Sequence, residues 1–185
     1  SHFLGQNFAK AFDIQFMDWD NQRQYVWTTS WGLSTRFVGA VIMAHGDDQG
    51  LVLPPKIAPT QLVIVPIFKN DEQKSQVMPV VEQVKSVLGD FRLHIDDRLE
   101  VTPGFKFNDW EMRGVPLRIE IGPKDVEKGT VAFARRDMPG KSGKSFVPQT
   151  QLLEQVTDVL ADIQTSLHDK ALAFREENTH DPQNF

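Results

Sequence analysis

Arg36 is the residue in the first third of the sequence whose position best suits binding chemistry. An apolar segment from Leu33 to Gly46 has almost no polar face, so we expect a helix buried inside the protein. Arg36 falls in its first turn, where free N–H groups and the helix dipole already favour an anion. Two interpretations stay open from placement alone: a buried ion pair with a carboxylate elsewhere, or a phosphate site in which Arg36 grips an oxygen.

A second group of charged residues, Glu111, Arg118, Lys124 and Asp125, could read a nucleotide base. Residues 104–144 hold nine Lys and Arg against six Asp and Glu, whereas the whole chain has a net charge of −5. The Watson–Crick edge of guanine carries two donors, which a carboxylate satisfies, and one acceptor, which Arg or Lys satisfies. The alternative is a solvated face of ordinary salt bridges, each of which contributes little.

Two further features of the sequence are weaker indications of a binding site. Residues 140–145, GKSGKS, resemble a phosphate-binding loop, but Met138 stands where that motif needs glycine, and the segment lies between two predicted strands. The histidines are scattered without metal-ligand spacing: His45, His94, His168 and His180. We therefore predict a flexible loop at residues 140–145 and no metal site.

The composition excludes several classes of protein. The chain of 185 residues is 40% hydrophobic with 13 Phe and 4 Trp, enough for a real core, and it has no cysteine and hence no disulfide. The net negative charge argues against indiscriminate binding to nucleic acid. No apolar run approaches the ~20 residues of a membrane span, and no signal peptide is visible. We expect a cytoplasmic protein with no membrane partner.

Periodicity predicts the elements that position these groups. In residues 1–59 we expect a loop, a half-buried strand at 12–16, a turn at 18–21, a returning strand to residue 30 and the buried helix. Three prolines at 54, 55 and 59 predict a domain boundary. In residues 60–177 we expect strands at 62–65, 91–95, 117–121, 131–134 and 145–147, with helices at 71–88, 104–113 and 149–177. The fold class is α/β, a mixed sheet of about five strands with three helices, and residues 178–185 form a tail or begin a further domain.

Two stretches of this sequence resemble a known family. Residues 29–36, TSWGLSTR, and 45–55, HGDDQGLVLPP, resemble the third signature motif of class II aminoacyl-tRNA synthetases. The residues in both stretches are most similar to those of the prolyl-tRNA synthetases, in the archaeal/eukaryote-like form. The resemblance continues through residues 104–125 and covers nearly the whole chain. It implies the end of an antiparallel class II catalytic domain followed by the anticodon-binding domain of that class.

The resemblance also implies residues for the chemistry of amino-acid activation. Arg36 matches a catalytic arginine that contacts the terminal phosphates of ATP, and Ser34 matches a small hydroxyl residue near ATP. His2, Trp31 and Gly32 match the proline pocket, although the Thr that the family places two residues before this His is missing. Mg²⁺ bridges the phosphates in such reactions, but its ligands are not identifiable in this segment.

The anticodon and the partners follow from the same resemblance. Glu111, Arg118, Lys124 and Asp125 match the residues that contact the two guanines of the proline anticodon, and the whole enzyme is expected to be a homodimer. The first two signature motifs of the class are absent, so we expect a C-terminal segment of a proline–tRNA ligase without ATP–pyrophosphate exchange of its own. The alternative is a non-catalytic RNA-binding module that keeps only the anticodon-binding fold.

Overall fold

A computed structural model describes residues 1–138 and 140–180. The chain separates into two compact units, residues 1–40 and residues 41–185. The domain boundary that the prolines predict near residue 59 stays a prediction, as does the role of residues 178–185, of which 181–185 lie outside the described residues. Among the described residues, no helix is long and apolar enough to cross a membrane.

The first unit consists of two small antiparallel ladders and a short helix. Its elements are β1 (His2–Gly5), α1 (Asn7–Ala11), β2 (Gln15–Met17), β3 (Arg23–Tyr25) and β4 (Thr28–Ser30). β2 pairs with β3 as the predicted hairpin, and β1 pairs with β4. Two expectations were wrong: α1 stands where we expected a loop or strand, and the single returning strand is divided into β3 and β4. The division follows from pairing, because each half has a different antiparallel partner.

Helix α2 (Arg36–His45) ends before Gly46 as predicted, but it begins at Arg36 rather than at Leu33, and it is not buried. None of its residues is buried, and Phe37 and Met43 are 56% and 83% exposed. The prediction of burial was wrong because an apolar pattern indicates which side chains another layer could cover, but not whether such a layer packs on them. Arg36 is exposed and has no ion pair among the described residues, so the buried-ion-pair interpretation is wrong as well.

The second unit is built on a mixed five-stranded sheet, as the sequence predicts. Its elements are β5 (Leu62–Pro66), α3 (Asp71–Val87), β6 (Leu93–Ile95), α4 (Pro103–Met112), β7 (Leu117–Ile121), α5 (Pro123–Lys128), β8 (Thr130–Arg135), β9 (Lys144–Pro148) and α6 (Leu152–Glu177). The strand order is β6-β5-β7-β8-β9, with β5 parallel to β6 and β7 and the remaining pairs antiparallel. Helix α5 was not predicted, although proline at its first position and Gly129 after its end, at φ +63°, are ordinary helix boundaries.

The two faces of the sheet have different helices, and this determines where the charged residues lie. Leu117, Ile119 and Ile121 belong to the main core with α3 and α6. The opposite face carries a smaller cluster in which Val63 and Val65 of β5 pack with α4. Because side chains alternate along a strand, residues 118 and 120 of β7 must face the side of α4.

Candidate nucleic-acid interface

A row of three residues across β7, β8 and β9 forms the floor and walls of a pocket. Arg118 lies opposite Ala134, and Ala134 lies opposite Lys144. Cross-strand partners project from the same face of a sheet, so two long basic side chains flank one short apolar one. The small side chain of Ala134 leaves a depression between the two cations.

This depression is a pocket of about 180 Å³, which we call the basic pocket. It is lined by Gln49, Phe107, Glu111, Arg118, Glu120, Ala134, Arg135, Arg136, Gly140 and Lys144. Pockets for drug-sized ligands measure roughly 300–1,000 Å³, so this one is suited to a single flat group or the edge of a base.

Opposite charges alternate around the basic pocket. The Nη1 of Arg118 donates to Glu111 over 2.8 Å, and its Nε donates to Glu120 over 3.1 Å. Lys144 donates to the second oxygen of Glu120 over 2.7 Å. Glu120 is only 4% exposed, whereas the side chain of Lys144 is 41% exposed and that of Glu111 33%. The carboxylate of Glu120 thus lies below the pocket, and Glu111 and Lys144 reach its open side.

Helix α4 supplies one aromatic and one acidic wall of the basic pocket. Phe107 and Glu111 are four residues apart and therefore share a face of the helix. The guanidinium carbon of Arg118 lies 4.2 Å from the centroid of the Phe107 ring, a close cation–π contact. The guanidinium of Arg118 is held between an aromatic face and two carboxylates, with N–H donors left over.

Asp96 fixes α4 against the end of β6. It is 1% exposed and accepts hydrogen bonds from the indole N–H of Trp110 over 2.8 Å and from Arg98 over 2.7 and 2.9 Å. The ammonium of Lys106 donates to the backbone carbonyl of Asp96 over 2.9 Å. Burial alone would raise the pKa of Asp96, but the hydrogen bonds from Arg98 and Trp110 and the charge of Lys106 hold that pKa well below its usual range.

The end of the same helix is held by Arg136 and Asp47. Arg136, 3% exposed, pairs through both terminal nitrogens with the carboxylate of Asp47, and its Nε donates to the backbone carbonyl of Glu111 over 2.9 Å. The hydrogen bond from Arg136 lowers the pKa of Asp47 to about 2. The polar turn after α2 therefore supports the backbone beside the basic pocket.

The structure brings two of the four predicted base-reading residues together and places the other two apart from the basic pocket. Glu111 and Arg118 form an ion pair at its wall. Lys124 is exposed on α5, and Asp125 uses a carboxylate oxygen to accept the Gly122 N–H over 2.9 Å. Neither Lys124 nor Asp125 lines the basic pocket. Their predicted role stays a prediction.

Eight of the ten residues that line the basic pocket were not in the predicted set, among them Phe107, Glu120 and Lys144. Glu120 could have been found, because the alternation of β7 places it on the same face as Arg118. Phe107 could have been found from its helical spacing to Glu111. Lys144 had no such signal, since its position depends on the β8–β9 register.

A larger cleft of about 590 Å³ contains none of the predicted residues. It is lined by Leu51, Leu53, Pro59, Thr60, His94, Arg98, Trp110, Arg113 and Val115. Its two arginines already bind carboxylates: Arg98 pairs with Asp96 and Asp109, and Arg113 pairs with Asp109. The charges of the cleft are therefore largely satisfied within the protein.

The residues expected to serve ATP and proline lie in the first unit. His2 pairs in the β1–β4 ladder with Ser30, the residue that precedes Trp31 in the chain. The Oγ of Ser34 accepts the backbone N–H of Arg36 over 3.4 Å, at the N-terminus of α2. All these site residues are exposed. Within residues 1–138 and 140–180, no group of three His, Cys, Asp or Glu side chains could hold a metal ion.

Comparisons with known proteins agree with the geometry of the second unit. A model of the family described as the anticodon binding domain matches residues 61–169. The chain is 61% identical over 182 residues to a proline–tRNA ligase of Chloroflexus aurantiacus, which covers 98% of this chain and 38% of the relative. It is 53% identical over 190 residues to the chloroplastic/mitochondrial proline–tRNA ligase of Arabidopsis thaliana, covering 100% of this chain and 35% of the relative. The matches confirm the resemblance read from the sequence, and the chain spans a little over a third of the length of these relatives.

Proposed function

The chain belongs to the family of anticodon-binding domains, and from that premise we propose that it recognises the proline anticodon as part of a proline–tRNA ligase. The observation that carries this proposal is the ion pair of Arg118 and Glu111 at the wall of the basic pocket. The 98% coverage by proline–tRNA ligases does not favour the alternative of a module that kept the anticodon-binding fold alone, because the similarity includes the residues before 61.

The hydrogen-bond donors and acceptors that stay unpaired in the basic pocket match the Watson–Crick edge of guanine. Arg118 has five N–H donors and spends two of them on Glu111 and Glu120, so its remaining donors can meet the guanine O6. Glu111 binds Arg118 through one oxygen and can accept the N1–H and N2–H of guanine with the other. The guanidinium carbon of Arg118 lies 4.2 Å from the centroid of the Phe107 ring, and the planar guanidinium suits a planar partner.

For the whole enzyme we propose further roles. Lys124 and Asp125 contact the second guanine from α5, outside the basic pocket. Arg36, exposed at the N-terminus of α2, binds the terminal phosphates of ATP with Ser34 beside it, and His2, Trp31 and Gly32 contribute to the proline pocket. When bound, Mg²⁺ would neutralise phosphate charge. The enzyme acts as a homodimer in the cytoplasm.

Replacing Arg118 with Ala tests the proposed function. In fluorescence anisotropy with the 185-residue chain, Arg118→Ala should weaken binding to a proline anticodon stem-loop by about 1–3 kcal/mol, or roughly 5- to 150-fold. Binding to a stem-loop with both guanines replaced by adenine should change much less, because that RNA never used the contact.

A matched control separates this contact from general charge. Lys85→Ala removes one cation from α3, on the opposite face of the sheet, where the side chain is 54% exposed and makes only a 3.4 Å pair with Glu82. Lys85→Ala should leave both affinities unchanged. An equal loss for both RNAs in Arg118→Ala would mean that Arg118 acts only through its charge.

A further inference from the structure

We infer that Glu120 is the positioning residue of the basic pocket: it does not touch the RNA but fixes the orientation of Arg118 and Lys144 before the RNA arrives. This inference rests on the proposed function and adds a residue to it. It starts from a feature that stability alone explains poorly, a carboxylate that is 4% exposed in the middle of a sheet. Buried carboxylates are costly unless they are fully paired.

Both oxygens of Glu120 are used within the protein. Oε1 accepts the Arg118 Nε over 3.1 Å and Oε2 accepts the Lys144 Nζ over 2.7 Å. The cross-strand neighbours of Glu120 are Val65 on β5 and Ala132 on β8, neither of which can offer a side-chain hydrogen bond. The two cations are therefore the side-chain partners of this carboxylate among the described residues, and it connects β7 to β9.

The arrangement leaves Arg118 little freedom. Its Nε is bound by Glu120, its Nη1 by Glu111, and its guanidinium carbon lies 4.2 Å from the centroid of the Phe107 ring. Ordering a long side chain on binding reduces affinity, so a side chain that is ordered in advance binds more tightly. Since Glu111 is proposed to share its carboxylate between Arg118 and the base, Glu120 is the partner whose carboxylate serves only the two cations.

A positioning role and a merely structural role predict different results. If Glu120 only stabilises the sheet, its loss weakens binding to every RNA alike. If it positions Arg118, its loss lowers discrimination between guanine and adenine, and this effect disappears once Arg118 is absent. The double-mutant cycle of Glu120→Gln and Arg118→Ala isolates that link.

The experiment measures the ratio of dissociation constants for the guanine and adenine stem-loops. Glu120→Gln should lower this ratio about tenfold, and adding it to Arg118→Ala should lower the ratio no further. Glu120→Asp keeps the charge but is one methylene too short to hold both cations, so it should also lose discrimination. Glu127→Gln, which removes an exposed carboxylate on α5, is the matched control and should leave the ratio unchanged.

Three results would overturn the inference: an equal loss for both RNAs in Glu120→Gln, additive effects in the double mutant, or full discrimination in Glu120→Asp. If the variants fail to fold, the wild-type chain still provides a test. Its Arg118 Nε–H should give a slowly exchanging ¹⁵N-edited resonance without RNA, and fast exchange would contradict the inference. A wild-type chain that does not discriminate at all would instead refute the proposed function.

Discussion

The pair of Asp47 and Arg136 predicts a measurable contribution to stability that depends on pH. Asp47→Asn removes the carboxylate that binds both terminal nitrogens of Arg136, which is 3% exposed. The amide can accept only one of these hydrogen bonds and carries no charge, so the guanidinium remains buried without a counter-ion. We expect the second unit to lose stability, because a buried charge without its partner is costly.

The pKa of Asp47 bounds the size of the effect. Its lowering from 3.8 to about 2 corresponds to an upper limit of roughly 2.4 kcal/mol. The side chain of Asp47 is 39% exposed, so solvent screening reduces this value, and we expect about 1–1.5 kcal/mol at pH 7. Because the folded-state pKa is depressed, this stability is present above the unfolded pKa near 3.8 and is lost as the pH falls through about 2.

Urea unfolding of both proteins at pH 7 and pH 3 measures this contribution. The difference in unfolding free energy between wild type and Asp47→Asn should shrink to roughly half at pH 3. At that pH the Asp47 carboxyl is already largely protonated in the unfolded chain but still ionised in the folded one. Identical stabilities at pH 7, or a difference that does not change with pH, would refute the pairing as the cause.

Two further changes give independent predictions. Ala134→Leu fills the floor of the basic pocket, so it should weaken binding to the proline anticodon stem-loop at least tenfold while urea unfolding shows little loss; unchanged binding would mean that the pocket is not the site. Asp96→Asn deprives Arg98 and Lys106 of their shared carboxylate, so it should lower the free energy of unfolding by about 3–5 kcal/mol, and a loss below about 1 kcal/mol would contradict the anchoring role of Asp96.

The local pattern of apolar and polar residues was sufficient to predict most helices and strands of the second unit. Residues 62–65 are apolar without alternation, and β5 is buried along its whole length. Residues 117–121 alternate, and β7 places Arg118 and Glu120 on the face away from the main core. Helix α3 begins at Asp71, where Asn70 caps it by accepting the Gln73 N–H, and it continues through Pro79 to Val87.

Non-local pairing explains what the sequence did not predict. Lys144 joins the basic pocket only through the register of β9 on β8, which no short window of sequence encodes. The apolar pattern of α2 indicates which side chains another layer would cover, but not whether that layer is present in the chain. Lys124 and Asp125 lie on α5, a helix that the sequence did not predict, so the strand pattern did not indicate that they lie outside the basic pocket.

The most direct measurement of the central claim compares guanine, inosine and adenine in the anticodon. Inosine keeps the N1–H and O6 of guanine but lacks its 2-amino group, so it removes one hydrogen bond to a carboxylate, worth roughly 1.5–3 kcal/mol. If the basic pocket reads a guanine edge, the 185-residue chain should bind guanine-containing stem-loops most tightly, inosine-containing ones next and adenine-containing ones least at physiological salt. Equal affinities for the three RNAs would contradict the account.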